Sequence, residues 1–351
     1  MCRALVAQTN PSKLKGPLVS APHLDVLGFG NAIVDVLART EDDFLAHHGM
    51  RKGGMTLIDE MQAETIYAAM GPGVEISGGS AANTVAGVAS LGGRAGFVGK
   101  VKDDPLGLIF RHDIEAAGVR FPTPAAASGP ATARCLILVT ADGERTMNTF
   151  LGAAQNLEPE DFDEAIVAGA AVTYLEGYLW DPPPAKQAFL KAAGIAHKAG
   201  RTVALTLSDA FCVDRYRAEF LALVREGTVD LLFANETELK ALYQTADFDT
   251  ALAALRQDAK RAVVTRSENG ALTIAGTETV AVPVFPVASV VDTTGAGDLF
   301  AAGYLHGHAR GFSPEESLRL GALCAAEVIS HMGARPERAL KELAEENGLR
   351  V

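Results

Sequence analysis

The chain has 351 residues, of which 48% are apolar and 21% charged, which excludes a disulfide-stapled miniprotein and a largely disordered chain. Lys and Arg number 31 against 43 Asp and Glu, a formal charge of −12, and no basic stripe is present, so a nucleic-acid partner is not expected. The length fits two domains, or one large α/β layer with an appended subdomain.

The first 22 residues lack the features of a signal peptide, because polar residues including Lys13 and Lys15 interrupt them. No window of the chain approaches about 18 uninterrupted apolar residues, so no membrane span is expected. Four scattered cysteines form no C-x-x-C pair and predict reduced thiols: Cys2, Cys135, Cys212 and Cys324. We expect a cytoplasmic protein with a flexible N-terminal tail over residues 1–22 and a core over residues 23–351.

Short apolar runs alternate with helical segments along most of the core. Strands are predicted at 24–30, 94–98, 171–175, 203–207, 231–234 and 262–265. Helices are predicted near 79–91, 106–117, 185–198, 217–225, 236–243 and 250–257. Continuous apolar strands separated by helices are typical of a parallel sheet covered on both faces. The pattern therefore predicts an α/β fold with a doubly wound, mostly parallel sheet flanked by helices.

One stretch breaks this alternation. Residues 135–140 and 145–150 are strand-like and flank Asp142-Gly143, the strongest short hairpin signal. With the extended segments 35–39 and 54–59, this hairpin predicts a small β-sheet lid built from about residues 35–59 and 132–152. The alternative is an ordinary antiparallel edge of the core sheet.

The most informative segment runs D-T-T-G-A-G-D over residues 292–298 and leads into a helix of small residues. The unpaired amides and the positive dipole end of such a helix form an anion site. Asp298 lies in the first turn, where a carboxylate can accept the proton of an alcohol that attacks a bound phosphate. The alternative is that Asp298 only caps the helix and the glycines serve a tight turn.

These residues resemble the ribokinase-like (PfkB) family of carbohydrate and nucleoside kinases, whose signature D-T-x-G-A-G-D is complete here. Residues 78–83 (G-G-S-A-A-N) resemble the family's G-G-x-x-x-N signature, and residues 235–238 (N-E-T-E) resemble its N-x-x-E motif. The likeness extends from about residue 24 to the C-terminal region. It implies a ribokinase-like fold and ATP-dependent transfer of a phosphoryl group to an alcohol.

The resemblance also implies roles for individual residues. Asp298 becomes the catalytic base, and the amides of Gly295, Ala296 and Gly297 become the cradle for the transferred phosphoryl group. The implied ATP-binding residues are Asn235, Thr265, Arg266, Gly270 and Thr294, and Glu238 is implied to hold Mg²⁺ through water.

Three of these assignments have alternatives or departures. Asn235 and Glu238 also have the spacing of a helix capping box, and both roles can hold together. Arg266 can contact a phosphate or remain a solvated surface residue. Ser267 stands where the family usually has a glycine, so the chain departs from the family's pattern at the place where the backbone approaches the nucleotide.

Polar residues after the first predicted strand indicate a ligand crevice, since the ends of parallel strands face one. Asn31 and Asp35 follow that strand, and a carboxylate such as Asp35 can accept from both vicinal hydroxyls of a ribose. Gly78 and Gly79 allow close approach, and Asn83 can donate and accept toward the same sugar. Asp35 as an exposed loop carboxylate is the alternative.

Within the family, the motifs are most similar to adenosine kinases of bacterial type, which implies phosphorylation of adenosine at its 5′-hydroxyl to give AMP. The lid would then cover the purine, with Met147 or Phe150 as candidate wall residues. A sugar kinase of the ribokinase or fructokinase type is the alternative enzyme, and a non-catalytic nucleoside-binding regulator is the alternative from another class. A monovalent cation such as K⁺ near 292–294 is also compatible with the family. The chain is expected to be a monomer, or a homodimer if lid strands pair between subunits.

Overall fold

The computed structural model describes residues 23–351, so the tail predicted over residues 1–22 lies outside the described residues. The strands are β1 (Leu24–Phe29), β2 (Ile33–Arg39), β3 (Met55–Leu57), β4 (Val74–Gly78), β5 (Ala95–Val98), β6 (Val119–Arg120), β7 (Ala133–Val139), β8 (Arg145–Phe150), β9 (Ala170–Glu176), β10 (Thr202–Thr206), β11 (Leu231–Asn235), β12 (Arg261–Thr265), β13 (Ala271–Ala275) and β14 (Glu278–Val282). The α-helices are α1 (Asp42–His47), α2 (Glu60–Ala69), α3 (Ser80–Ser90), α4 (Pro105–Ala116), α5 (Glu164–Ala168), α6 (Pro183–Lys198), α7 (Ala210–Arg225), α8 (Glu236–Leu242), α9 (Phe248–Asp258), α10 (Ala296–Ala309), α11 (Pro314–Val328) and α12 (Leu340–Glu346).

The main sheet has nine strands in the order β14-β13-β12-β11-β10-β9-β1-β5-β6. All neighbouring pairs from β12 to β6 are parallel, and β13 and β14 continue the sheet in antiparallel fashion. The order runs outward in both directions from β1, as in a doubly wound fold. The predicted fold class is therefore confirmed.

Both faces of this sheet are buried, because successive strand residues point to opposite sides. Along β1, Val26 joins one apolar cluster with residues of α3, α10 and α11. Leu27 and Phe29 join a second cluster with residues of α6, α7, α8 and α9. The continuous apolar runs in the sequence follow from this burial on two sides.

The predicted small sheet is present and separate from the main one, with the order β3-β8-β7-β2-β4. It contains the predicted hairpin, β7 and β8, paired in antiparallel fashion. The alternative of an edge of the core sheet is therefore wrong. Strand β4 was not predicted; its five residues end at Gly78 and pair with β2.

The helix predicted near 217–225 is present as the second part of α7, which has a kink at Tyr216. The first part of α7, from Ala210, was not predicted; Asp209 caps it by accepting from the Cys212 amide at 2.6 Å. Helices α1, α2, α5, α11 and α12 were not predicted. No helix within residues 23–351 combines the length and the apolarity that a bilayer crossing requires.

Candidate active site

Polar residues meet at the edge of the main sheet where its parallel strands end. Asn31 follows β1, Glu176 ends β9, and Asn235 and Thr265 end the neighbouring strands β11 and β12, in which they are register partners. Because parallel strands all end at one edge, residues far apart in sequence come together there.

The loop before α10 leaves backbone amides unpaired at this edge. The amide of Ala296 donates to the Thr293 carbonyl at 3.2 Å, and the first intrahelical bond is made by Leu299. Among the described residues, no acceptor forms a hydrogen bond with the amides of Gly295, Gly297 and Asp298. A helix N-terminus with free amides can bind an anion.

The conformation of this loop depends on its glycines. Gly295 has φ +78°, and a Cβ there would lie 2.8 Å from the Cα of Ala334. A Cβ on Gly297 would meet nothing within 4 Å, and Gly297 is exposed. The loop is therefore tightly packed on one side and open on the side where an anion would approach the amides.

Asp298 is held by two side chains of α3. The Ser80 hydroxyl donates to Asp298 Oδ1 at 2.6 Å, and the side-chain Nδ2 of Asn83 donates to Asp298 Oδ2 at 3.0 Å. Ser80 and Asn83 lie three positions apart, so they share one face of the helix. Gly87 brings α3 and α10 close together, since a Cβ there would lie 2.7 Å from Ala302 and Leu299.

Burial raises the pKa of Asp298 above its ordinary value, while the bonds from Ser80 and Asn83 and the charge of Arg335 act in the opposite direction. Asp298 as a residue is partly buried. A carboxyl group with a raised pKa is suited to accept a proton near neutral pH.

Asn31 does not present a free side chain. Its Nδ2 donates to Glu176 Oε1 at 2.8 Å, its backbone amide donates to the same oxygen at 3.3 Å, and Asn31 is 2% exposed. Glu176 Oε2 accepts from the Ala81 amide at 2.9 Å, at the start of α3. Burial raises the pKa of Glu176 to about 7, against the effect of these bonds. Glu176 thus ties the loop after β1 to the helix that holds Asp298.

Asp35 lies on the face of the small sheet that also carries Arg145, which we call the inner face. Cys135 of β7 is its register partner, and Thr149 of β8 is the partner of Cys135, so the three share one face. Among the described residues the Asp35 carboxylate has no hydrogen-bond partner. Burial raises the pKa of Asp35 to about 7; the charge of Asp298 adds to this effect, and those of Arg335 and Arg145 oppose it.

Gly78 packs against Asp35, and Gly79 packs against Asn31. A Cβ on Gly78 would lie 2.2 Å from Asp35 Oδ2, and one on Gly79 would lie 2.2 Å from the Asn31 carbonyl oxygen. Gly79 also has φ +93°. The two glycines therefore let this turn pass close to Asp35 and the loop after β1.

An apolar row runs beside Asp35 on the inner face. It consists of Leu37, Ile137 and Met147, which are register partners across β2, β7 and β8. Because side chains alternate between faces, Phe150 lies on the opposite face from Thr149. Of the two wall residues suggested by the sequence, Met147 is on the face of Asp35 and Phe150 is not.

The inner face of the small sheet contacts the anion loop through Arg145. One guanidinium nitrogen lies 2.6 Å from Asp292 Oδ2 and 3.2 Å from the Thr294 hydroxyl. Asp292 also accepts from the amide and hydroxyl of Thr294 and from the Gly333 amide, at 2.8 to 3.0 Å. The small sheet therefore covers the loop in this conformation.

Asn235 and Glu238 form the capping box of α8. The Asn235 side chain accepts from the Glu238 amide at 2.8 Å, while Glu238 accepts from the amide and side chain of Asn235 at 3.0 and 2.6 Å. Burial raises the pKa of Glu238 to about 7. Burial also raises the pKa of Tyr178, and the charges of Asp209, Asp298 and Glu238 add to that effect.

The turn after β12 keeps the backbone shape that the glycine-rich motif would have. Ser267 has φ +48°, in the left-handed region that glycine favours. Gly270 has φ +78°, and a Cβ there would lie 2.2 Å from the Val282 carbonyl oxygen. Arg266 is already engaged: its Nε lies 3.0 Å from Glu236, and its guanidinium stacks 3.9 Å above the ring of Phe248.

Four residues of this site were not singled out from the sequence: Ser80, Arg145, Glu176 and Arg335. Ser80 and Arg145 lie inside the two motifs that were recognised, so a search within each motif could have found them. Glu176 had one signal, a carboxylate at the end of a buried strand. Arg335 had none, because its contacts come only from the folded chain.

Among residues 23–351, no group of three or more His, Cys, Asp or Glu side chains is arranged to hold a metal. A protein cage for a metal is therefore absent from the described part of the chain. Mg²⁺ bound to a nucleotide does not need such a cage, since it keeps several waters and takes few protein ligands. A single carboxylate such as Glu238, at the start of α8 directly after β11, fits that donor set.

The free amides, the neighbouring carboxylate and the covering sheet define a phosphotransferase that acts on a hydroxyl group. A family model described as pfkB family carbohydrate kinase matches residues 64–339. The chain belongs to this family.

Two solved structures are similar over nearly the whole chain. An adenosine kinase from Sinorhizobium meliloti is 56% identical with a TM-score of 0.86, covering 92% of this chain and 99% of that one. A probable sugar kinase from Rhizobium etli is 53% identical with a TM-score of 0.88, covering 94% and 100%. An ATP-dependent ribose-1-phosphate kinase from Halopiger xanaduensis is 33% identical over 264 residues, which is 74% of this chain and 82% of that protein.

Proposed function

We propose that this enzyme transfers the γ-phosphoryl group of ATP to the 5′-hydroxyl of a nucleoside, adenosine above all. The observation that carries this proposal is the inner face of the small sheet, where Asp35 lies next to the apolar row of Leu37, Ile137 and Met147. A carboxylate that can accept hydrogen bonds from a sugar diol, next to this apolar row, suits a molecule that is polar at one end and flat and apolar at the other. A free sugar would leave the apolar row without a contact.

Asp35 would accept hydrogen bonds from the 2′- and 3′-hydroxyls, with Gly78 and Gly79 allowing the sugar to approach. Asn31 and Asn83 would support this site from below, since Asn31 holds Glu176 and Asn83 holds Asp298. This arrangement would direct the 5′-hydroxyl toward Asp298. Asp298 would accept its proton as the oxygen attacks phosphorus.

The amides of Gly295, Gly297 and Asp298, with Ala296 completing the turn, would bind the oxygens of the transferred group and stabilise the charge that develops on them. Arg145, held against Thr294, would add a positive charge on the lid side. Closure of the small sheet as a lid would exclude water and limit hydrolysis of ATP.

For the nucleotide, we propose a site along the ends of β11 and β12. Asn235, Thr265, Gly270 and Thr294 would line its phosphate path, and Arg266 would reach it only by leaving Glu236. ATP would bind as its magnesium complex, in which the metal would neutralise charge on the phosphates. Glu238 would hold water of that complex while it caps α8.

The nucleotide base would bind along the segment between β14 and the anion loop. Three apolar side chains of this segment are exposed: Val284, Val290 and Val291 are 46%, 59% and 50% exposed. Exposed apolar side chains beside a phosphate site suit a purine ring.

Cytoplasmic location also belongs to the proposal, because Cys135, Cys212 and Cys324 carry buried free thiols.

A panel of acceptors tests the proposal. ADP release is measured with adenosine, inosine, ribose, ribose 1-phosphate and fructose, and we expect kcat/KM to be highest for adenosine. A preference for fructose or ribose would make the enzyme a sugar kinase. Equal use of 2′,3′-dideoxyadenosine and adenosine would show that Asp35 does not bind the 2′- and 3′-hydroxyls. The prediction of a monovalent cation near Asp292–Thr294 is tested by comparing rates in potassium and tetramethylammonium salts.

A further inference from the structure

Arg335 connects the C-terminal part of the chain to the substrate side of the site. It lies between α11 and α12, and its side chain is partly buried. Nε and Nη2 donate to the Ser77 carbonyl at 3.1 and 2.8 Å, and Nη2 also reaches the Ser77 hydroxyl at 2.9 Å. Nη1 donates to the Ala82 carbonyl at 3.1 Å. These acceptors lie on either side of the Gly78–Gly79 turn.

The same turn is held from a second side. Asp113 of α4 accepts from the backbone amide and the hydroxyl of Ser77, at 2.7 and 2.5 Å. Ser77 therefore lies between a carboxylate and a guanidinium and is 1% exposed. Two residues before Arg335, the Gly333 amide donates to Asp292 at 2.8 Å. One short segment thus contacts both the turn beside Asp35 and the anion loop.

Arg335 also brings a positive charge to the two carboxylates of the site. Its charge lowers the pKa of Asp35 and that of Asp298, whereas burial raises both. The other groups that act on Asp35 are Asp298, which raises its pKa, and Arg145, which lowers it. For Asp298, Ser80 and Asn83 are the hydrogen-bond donors, and Asp35 and Glu176 are carboxyl groups on which its own charge acts. Asp113 is the further carboxylate that acts on Arg335 itself.

We propose that Arg335 is a positioning residue for phosphoryl transfer. Its forked hydrogen bonds hold the Gly78–Gly79 turn in the place where the sugar binds, and its charge favours the ionised forms of Asp35 and Asp298. The charged, planar guanidinium performs both tasks, which neither glutamine nor lysine can do alone. The inference rests on the proposed roles of Asp35 and Asp298.

The test uses two variants and one control. Arg335→Gln removes the charge, and Arg335→Lys keeps the charge but loses the fork. Arg111→Gln is the matched control, because Arg111 also donates to two backbone carbonyls, those of Phe121 and Thr123, at 2.8 and 2.6 Å, and its guanidinium lies over the ring of Phe121. For each protein, kcat and KM are measured between pH 5.5 and 9, together with Tm.

We expect the acid limb of kcat/KM to move to higher pH in Arg335→Gln, because carboxylates without the nearby cation bind protons more readily. At pH 6 this lowers kcat/KM, relative to its own plateau, by on the order of tenfold more than in the wild type. Arg335→Lys should keep the wild-type limb and show a raised KM for the alcohol. Arg111→Gln should lower Tm and leave the pH profile unchanged.

An unshifted limb in Arg335→Gln would overturn the proposal, as would a limb in Arg335→Lys that moves as far as in Arg335→Gln. If Arg335→Gln does not fold, the lysine variant decides alone: an unshifted limb with raised KM supports the proposal, and unchanged KM contradicts it. The profiles are measured with whichever alcohol the wild type phosphorylates best. A wild type that prefers a sugar refutes the nucleoside assignment while the test of Arg335 still stands.

Discussion

Gly295 and Gly297 lie two residues apart in the anion loop, and the structure predicts opposite results for the same substitution at each. In Gly297→Ala the new methyl group meets no protein atom within 4 Å. Alanine in the first turn of a helix has less conformational freedom to lose than glycine, so the free energy of unfolding should stay equal or rise by up to about 1 kcal/mol. The methyl group occupies the open side of the loop, where the phosphoryl group would approach the amides.

In Gly295→Ala the methyl group would lie 2.8 Å from the Cα and Cβ of Ala334 and 3.0 Å from its carbonyl oxygen. The left-handed backbone costs an alanine roughly 1–2 kcal/mol, and forcing an extra carbon against backbone atoms costs roughly 1–3 kcal/mol. Together these amount to about 2–5 kcal/mol of lost stability.

Thermal or urea unfolding measures the stability of each variant, and steady-state ADP release measures its kcat/KM for ATP. We expect Gly297→Ala to unfold like the wild type and to lose kcat/KM for ATP by at least about tenfold, as when an oxyanion donor is displaced. Gly295→Ala should lose stability. Full turnover in Gly297→Ala would show that phosphate does not bind at these amides, and the assignment of Asp298 as the base would fall with it.

Three further predictions concern the carboxylates. Asp298→Asn should lower kcat by on the order of 10²–10⁴ while ATP binding, measured by calorimetry, stays intact; near-normal turnover would remove Asp298 from the role of base. KM for the nucleoside should rise as the pH falls through about 7, because the ionised Asp35 accepts the hydroxyls and its pKa is raised to about 7; Asp35→Asn should flatten this dependence, and a persistent one would belong to another group. Glu238→Gln should keep the capping box and the Tm, since glutamine also serves at that position, while more Mg²⁺ is needed for half-maximal rate; an unchanged magnesium requirement would leave Glu238 with the cap alone.

The local chemistry of the site was visible in the sequence. Small residues leading into a helix indicated the free amides, and Asp298 stood in the first turn of that helix. The capping box at Asn235 and Glu238 is likewise a matter of four consecutive residues. Such features depend on backbone conformation within one or two turns, which local sequence determines.

The alternating strands and helices were predicted for the same reason, because burial of strands on both faces leaves continuous apolar runs. Strand β4 and helices α1 and α2 were missed. Strand β4 is short and sits at an edge, where its pairing with β2 rather than its composition makes it a strand.

Contacts between distant segments decided the remainder. Asn31 has a side chain that can bind a sugar, yet in the fold its side-chain amide donates to Glu176, 145 positions away. Arg266 was a candidate for phosphate and pairs with Glu236 across the ends of two strands. Whether a polar side chain is free or engaged depends on its neighbours in space, and those neighbours are set by the packing of the whole sheet.

The sequence by itself determined that this chain has a parallel α/β core, an anion loop with a carboxylate beside it, and a hairpin outside the core. Only the tertiary structure decided which face of the hairpin covers the loop, that Arg145 reaches Asp292, and that Arg335 stands near both Asp35 and Asp298. The physical reason is range: backbone conformation and burial pattern depend on residues within a few positions, while hydrogen bonds and charges act through space between residues more than 200 positions apart, such as Ser77 and Arg335.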